Sequence, residues 1–147
     1  MKRITKPVGL WMDFRHAYIV MINDNNTVTT EVSSFIDEGH AVGGSGSATP
    51  YGPQDAVSEP RHLKRRLQQE KRYYQSILEH IHDRDGIYIM GPGQAKLGLE
   101  SEIRENHEKI DYLLDVETCG RLTHNQVKAK VKDYFHLLGA SDPARRY

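Results

Sequence analysis

Six cationic side chains fall between residues 61 and 72: Arg61, Lys64, Arg65, Arg66, Lys71 and Arg72, against a single acid, Glu70. On a helix, such a row can follow a phosphate backbone, because each phosphate it neutralises releases condensed counterions. A solvated helix face has the same composition. Two features favour a nucleic acid: the row abuts a glycine-rich segment, and the acids Glu100, Glu102, Glu105, Glu108, Asp111, Asp115 and Glu117 are segregated into the next third of the chain. Gly91-x-Gly93-x-x-Lys96 has part of a dinucleotide fingerprint. Its third glycine and closing acid are missing, and it has no Gly-Lys-Ser/Thr of a phosphate loop. It therefore reads as a tight strand-to-helix turn, in which Gly93 and Lys96 are candidates for meeting a phosphate at a helix N-terminus.

Other reactive residue types lead nowhere specific. A two-metal nuclease needs several converging carboxylates. Asp13 and Glu70 are candidates for two, but Gly91-Pro92-Gly93 stands where a third belongs. Asp13 reads instead as a cap on a hairpin turn or a partner of Arg15. His80 and His82, two apart on a helix, do not share a face. Cys119 and His124 make only two ligands, which is not a zinc site. Cys119 has no identifiable base beside it, and no nucleophile–base–orienter set is present. The expectation is no metal and no cofactor.

These residues need elements to position them. Residues 8–13 and 16–22 are short, apolar and rich in aromatic and β-branched residues, so they read as two strands of a hairpin. Asn23-Asp24-Asn25-Asn26 is a turn. Residues 27–36 alternate as a half-buried third strand, with Val28, Thr30, Val32, Ser34 and Ile36 on one side. Residues 37–60 contain Gly39, Gly43, Gly44, Gly46, Gly52, Pro50, Pro53 and Pro60, and read as one long irregular loop. Arg61 to Asp83 reads as the longest helix, with Leu63, Leu67, Tyr74, Leu78 and Ile81 on its apolar stripe. Residues 87–90 read as a strand buried on both faces, followed by a helix over about 94–109 and another buried strand over 110–116. Thr123-x-x-Gln126 is a capping box opening a last helix, with Val127, Val131, Tyr134 and Leu138 as its stripe and Gly139 as its stop. Residues 141–147 read as a frayed tail.

The order βββαβαβα implies an α/β fold with a mixed five-stranded sheet, the ribonuclease-H-like arrangement. That arrangement hosts many functions and decides none of them. The 147 residues fit one domain, residues 1–140, burying roughly 68–70% of its unfolded surface. Twenty Lys+Arg balance 20 Asp+Glu, which excludes a globally basic protein but leaves room for a locally basic face. One cysteine excludes an internal disulfide framework. The apolar run Val8–Met12 is too short for a signal peptide, and Ala17–Ile22 is too short to span a bilayer. The expectation is a cytoplasmic protein with no membrane partner.

Several of these segments, in this order, resemble the middle domain of the archaeal and eukaryotic class I peptide-chain release factors and their relative Pelota. The glycine-rich loop leading into a basic helix with Glu70-Lys71-Arg72 is similar to that domain's probing loop and helix. Gly91-Pro92-Gly93-Gln94-Ala95-Lys96, Leu114-Asp115-Val116, Gly120 and Asn125-Gln126 resemble its later turns. Trp11-x-Asp13-x-Arg15-x-Ala17 resembles small bacterial relatives. The resemblance covers roughly residues 8–136. It implies a release-factor middle-domain-like fold and a partner in the ribosome, ribosomal RNA or tRNA.

The family's Gly-Gly-Gln is absent. Gly43-Gly44-Ser45 carries Ser where Gln belongs, and Gly52-Pro53-Gln54 carries a proline, which fixes φ and removes an N–H. The implied role is thus ribosome or RNA binding without strong catalysis. In this role Arg61, Lys64, Arg65, Arg66, Lys71 and Arg72 meet phosphates, while Gly43, Gly44, Ser45, Gly52 and Gln54 shape the loop. Peptidyl-tRNA hydrolysis using Gln54 is the enzymatic alternative. A homodimer pairing the basic and acidic faces is the interaction-module alternative.

Overall fold

The computed structural model describes the backbone of residues 4–24, 26–36, 52–105 and 109–141, and their side chains except for 52–59 and 140–141. Five strands form one sheet: β1 (Pro7–Met12), β2 (His16–Asn23), β3 (Asn26–Ser33), β4 (Gly86–Gly91) and β5 (Leu113–Thr118), in the order β3-β2-β1-β4-β5. β1–β2 and β2–β3 pair antiparallel, whereas β1–β4 and β4–β5 pair parallel. Among the described residues three α-helices cover the sheet: α1 (Gly52–His80), α2 (Ala95–Glu105) and α3 (His124–Ser141). This is the mixed α/β arrangement that the element order predicts.

Alternation along the strands sorts side chains into two cores. Val8, Leu10, Met12, Ala17, Ile19, Ile87 and Ile89 face α1 and α2, joined by Tyr73, Ile77, Ile81, Leu99 and Ile103 from the helices. Trp11, Val20, Tyr88 and Met90 face the other way, against Val127, Val131 and Phe135 of α3. β1 and β4 are central and buried along their whole length, which is why they read as unbroken apolar runs.

The edges depart from expectation. β5 is half-buried rather than fully buried, because it is the terminal strand, and Ile110–Tyr112 is a 3-10 turn before it. A register shift between Ile87 and Tyr88 skips Leu114, so Leu113 and Val116 face one core while Leu114 faces the other. β3, the opposite edge, stops at Ser33 with Val28 45% exposed. α2 ends at Glu105, short of 109. The capping box is present: the Thr123 N–H donates to Gln126 Oε1 at 2.9 Å, and the Gln126 N–H donates to Thr123 Oγ1 at 3.2 Å. Gly139 does not stop α3, which runs to Ser141, and Phe135, missing from the expected stripe, is buried in it beside Val127 and Val131. The rest of the expected tail lies outside the described residues.

The largest correction concerns residues 52–60, expected in the loop, which form the first turns of α1. Pro53 suits a first helical turn, where its missing N–H has no intrahelical partner to lose. Pro60 lies inside the helix, where it removes one backbone bond. Gly43, Gly44 and Ser45 lie outside the described residues.

Asp85 ties the entrance of β1 to that of β4. Its carboxylate accepts N–H bonds from Thr5 at 3.0 Å and Lys6 at 2.7 Å, and the Thr5 hydroxyl bond at 3.0 Å. Burial alone would raise this carboxyl, but the hydrogen bonds outweigh it and hold Asp85 below its ordinary range. A depressed folded-state value contributes stability above the unfolded value of about 3.9, and that contribution is lost as pH falls below it. Asp85→Asn is expected to cost about 1 kcal/mol at neutral pH, with the gap to the parent narrowing below about pH 4. Urea titrations at both pH values measure it. An equal gap at both would show that the carboxylate charge is not the source.

Candidate nucleic-acid interface

α1 has 29 residues and is therefore about 43 Å long. The six-residue strands beneath it span about 20 Å. The helix must overhang the sheet, and the burial pattern locates the crossing. Tyr73, Tyr74, Ile77 and Ile81 are buried, whereas Leu63 is 61% and Leu67 56% exposed. The stripe expected from periodicity is real, but its first two leucines have no core beneath them. Each forgoes more than half of the roughly 1.5–3 kcal/mol that full burial of a leucine contributes. Tyr73 and Ile77, absent from the expected stripe, do the packing, and the Tyr73 hydroxyl donates to the Asp13 carbonyl at 2.8 Å.

The six cations divide by position on this helix. Arg61, Lys64, Arg65, Lys71 and Arg72 are exposed. Arg61, Arg65 and Arg72 are spaced i, i+4 and i+11, one ridge on the side away from the leucines, about 16 Å long. Lys64 and Lys71, spaced i and i+7, border the leucine stripe. Arg66 is different: its Nε lies 2.9 Å from Glu70 Oε2, and its guanidinium covers the Phe14 ring at 5.1 Å. It holds the overhang to the β1–β2 turn, so it belongs to the packing of α1.

The remaining sequence candidates have other tasks. Gly52 and Gln54 lie in the first turn of α1 rather than in a loop. Lys96 is only 4% exposed, and its ammonium donates to the Gly93 carbonyl at 2.5 Å, closing the turn at the start of α2. Its charge is directed inward and not at a surface phosphate. Asp13 Oδ1 accepts the N–H groups of Arg15 at 2.8 Å and His16 at 3.0 Å, the turn cap expected of it. Glu70 pairs with Arg66. Among the described residues no group of three or more His, Cys, Asp or Glu could hold a metal ion. Burial pushes the Cys119 thiol up, which keeps it protonated at neutral pH.

In the acidic third, Glu100 pairs with Arg104 at 2.7 Å. Glu117 accepts the Tyr88 hydroxyl bond and lies 3.4 Å from Lys130, and the Tyr88 bond holds its carboxyl below the usual range. Two of those acids are therefore engaged within the chain.

One cluster escaped the sequence. Trp11, His16, Tyr18 and His124 form an aromatic stack with ring centroids 4.0–5.6 Å apart, and Trp11 Nε1 donates to the Gly120 carbonyl at 2.9 Å. Its signal is the cross-strand pairing of Trp11 with Tyr18, invisible until the register is known. Among the described residues, no helix is long and apolar enough to cross a membrane.

No family model and no curated protein matches the chain. Among solved structures, the Pelota protein of Thermoplasma acidophilum is similar with a TM-score of 0.44 and 16% identity, over 92% of this chain and 33% of that one. The archaeal translation termination factor aRF1 is similar with a TM-score of 0.41 and 11% identity, over 94% of this chain and 42% of that one. An exopolyphosphatase from Cytophaga hutchinsonii has a TM-score of 0.35 and 15% identity, over 78% and 34%. The chain thus spans less than half the length of each of these.

Proposed function

We propose that this chain is a non-catalytic RNA-binding protein of the translation apparatus, holding ribosomal RNA or tRNA by its phosphates along the outer ridge of α1. One observation carries the reading: Arg61, Arg65 and Arg72 stand exposed in one row along the face of α1 opposite its apolar stripe. A row of exposed cations along one face of a helix presents charge to a partner. The link to translation rests on the motif resemblance to the release-factor middle domain. Hydrolysis through Gln54 is the weaker reading, because helical backbone around Gln54 removes the extended-loop geometry on which it would depend.

Sedimentation with ribosomes and filter binding to tRNA, across a salt series, test the proposal. Three phosphate contacts by the ridge are expected to weaken binding about 20- to 40-fold between roughly 50 and 200 mM salt. No binding to either RNA at about 50 mM salt would overturn the reading.

A further inference from the structure

The leucines on the other side of the overhang need a different partner. Leu63 and Leu67 continue the line of Tyr74, Leu78 and Ile81, spaced i, i+4, i+11, i+15 and i+18, a stripe whose second half is covered by the sheet and whose first half is 61% and 56% exposed. Phosphate recognition leaves aliphatic side chains unused. Lys64 and Lys71 border the stripe on one side, which is therefore cationic, whereas on the other side Arg66 is paired with Glu70. We propose that this stripe docks an amphipathic helix of a partner protein that places leucine-like side chains against Leu63 and Leu67 and carboxylates against Lys64 and Lys71.

Charge complementarity selects that occupant. A second copy laid along the same stripe would set lysines against lysines. The glycine-rich stretch 39–51 of the chain itself contains no acidic residue. Two leucines are too little apolar surface for a stable membrane anchor. The ridge of Arg61, Arg65 and Arg72 lies on the far side of the helix, so this docking is separate from RNA binding and does not depend on it.

The probe is a fluorescein-labelled helical peptide of roughly 20 residues, built from Leu, Ala and Glu with leucines on one face and glutamates on both flanks, read by anisotropy against the full chain. Saturable binding is expected. Leu63→Ala with Leu67→Ala should weaken it at least about tenfold while leaving tRNA affinity unchanged, and alanine keeps the exposed helix intact. Lys64→Glu with Lys71→Glu should weaken the glutamate peptide and strengthen a lysine-flanked version of it.

Three results would overturn the proposal. The first is peptide binding indifferent to the leucines. The second is loss of tRNA binding in the leucine variant. The third is a concentration-dependent dimer in sedimentation equilibrium that the leucine variant abolishes.

Discussion

Arg61→Glu, Arg65→Glu and Arg72→Glu together are expected to remove RNA binding while leaving the fold untouched. At exposed positions each phosphate contact is worth about 1 kcal/mol after solvent screening. Three such losses give a weakening of at least roughly 100-fold, and the three new carboxylates add repulsion. The residual binding should have almost no salt slope, because the counterion-releasing contacts are gone. Thermal unfolding should stay within about 1 kcal/mol of the parent, since exposed helix positions tolerate substitution and a surface charge interaction is worth little.

The choice of residues comes from the structure. A triple reversal at Arg65, Arg66 and Arg72 would mix two effects. Glutamate at position 66 would face Glu70 and lose the Phe14 ring, so lost binding could be lost anchoring of the helix. Arg66→Glu alone is the control: it should lower stability more than the triple variant does. A triple variant that still binds tRNA with the parent salt slope would end the ridge hypothesis.

The contrast between Arg66 and Arg72 also marks where sequence reading stops. Periodicity places both on a helix and even gives the apolar stripe its direction. It carries no information on where the sheet ends beneath that helix, so Leu63 and Tyr74 look equivalent although one is exposed and the other buried. β1 and β4 were legible because burial on both faces leaves an unbroken apolar signature. β5 was read as equally buried because its edge position depends on strand order rather than local composition. The N-terminal end of α1 was hidden by glycine and proline, whose ordinary meaning is interruption. There Pro53 opens a helix, and Pro60 is carried inside it. The burial of Lys96 is invisible in the sequence for a general reason: lysine is rarely buried, and a turn that accepts its ammonium on a carbonyl cannot be seen from spacing. In the candidate site, the cations were legible as a group, but their division into ridge, rim and anchor was not.

The turn at the end of β4 gives the second large effect. Gly91 has φ +151°, a conformation that side-chain-bearing residues rarely adopt, and a Cβ there would lie 2.1 Å from the Met12 carbonyl oxygen. That oxygen belongs to the backbone of the neighbouring central strand and cannot rotate away. Gly91→Ala must therefore bend the turn or part the ends of β1 and β4. Backbone strain of about 1–2 kcal/mol and overpacking of about 1–3 kcal/mol together predict a loss of roughly 2–5 kcal/mol. For a chain of this length, such a loss lowers the melting temperature by about 5–20 °C.

Two neighbouring glycines calibrate the estimate. Gly93 has φ +64° but nothing within 4 Å of a Cβ, so Gly93→Ala isolates the strain and should cost about 1–2 kcal/mol. Gly120 has neither feature, and Gly120→Ala should be nearly neutral. Urea midpoints for the three variants should fall in that order. If Gly91→Ala melts with Gly120→Ala, the close approach of β1 to the turn is wrong. The same approach holds the Cys119 N–H on the Gly91 carbonyl at 3.2 Å, so the end of β5 would be displaced as well. The basic ridge of α1 lies on the exposed face of the helix, opposite its packed stripe, and a folded Gly91→Ala protein should therefore keep its RNA affinity while losing stability.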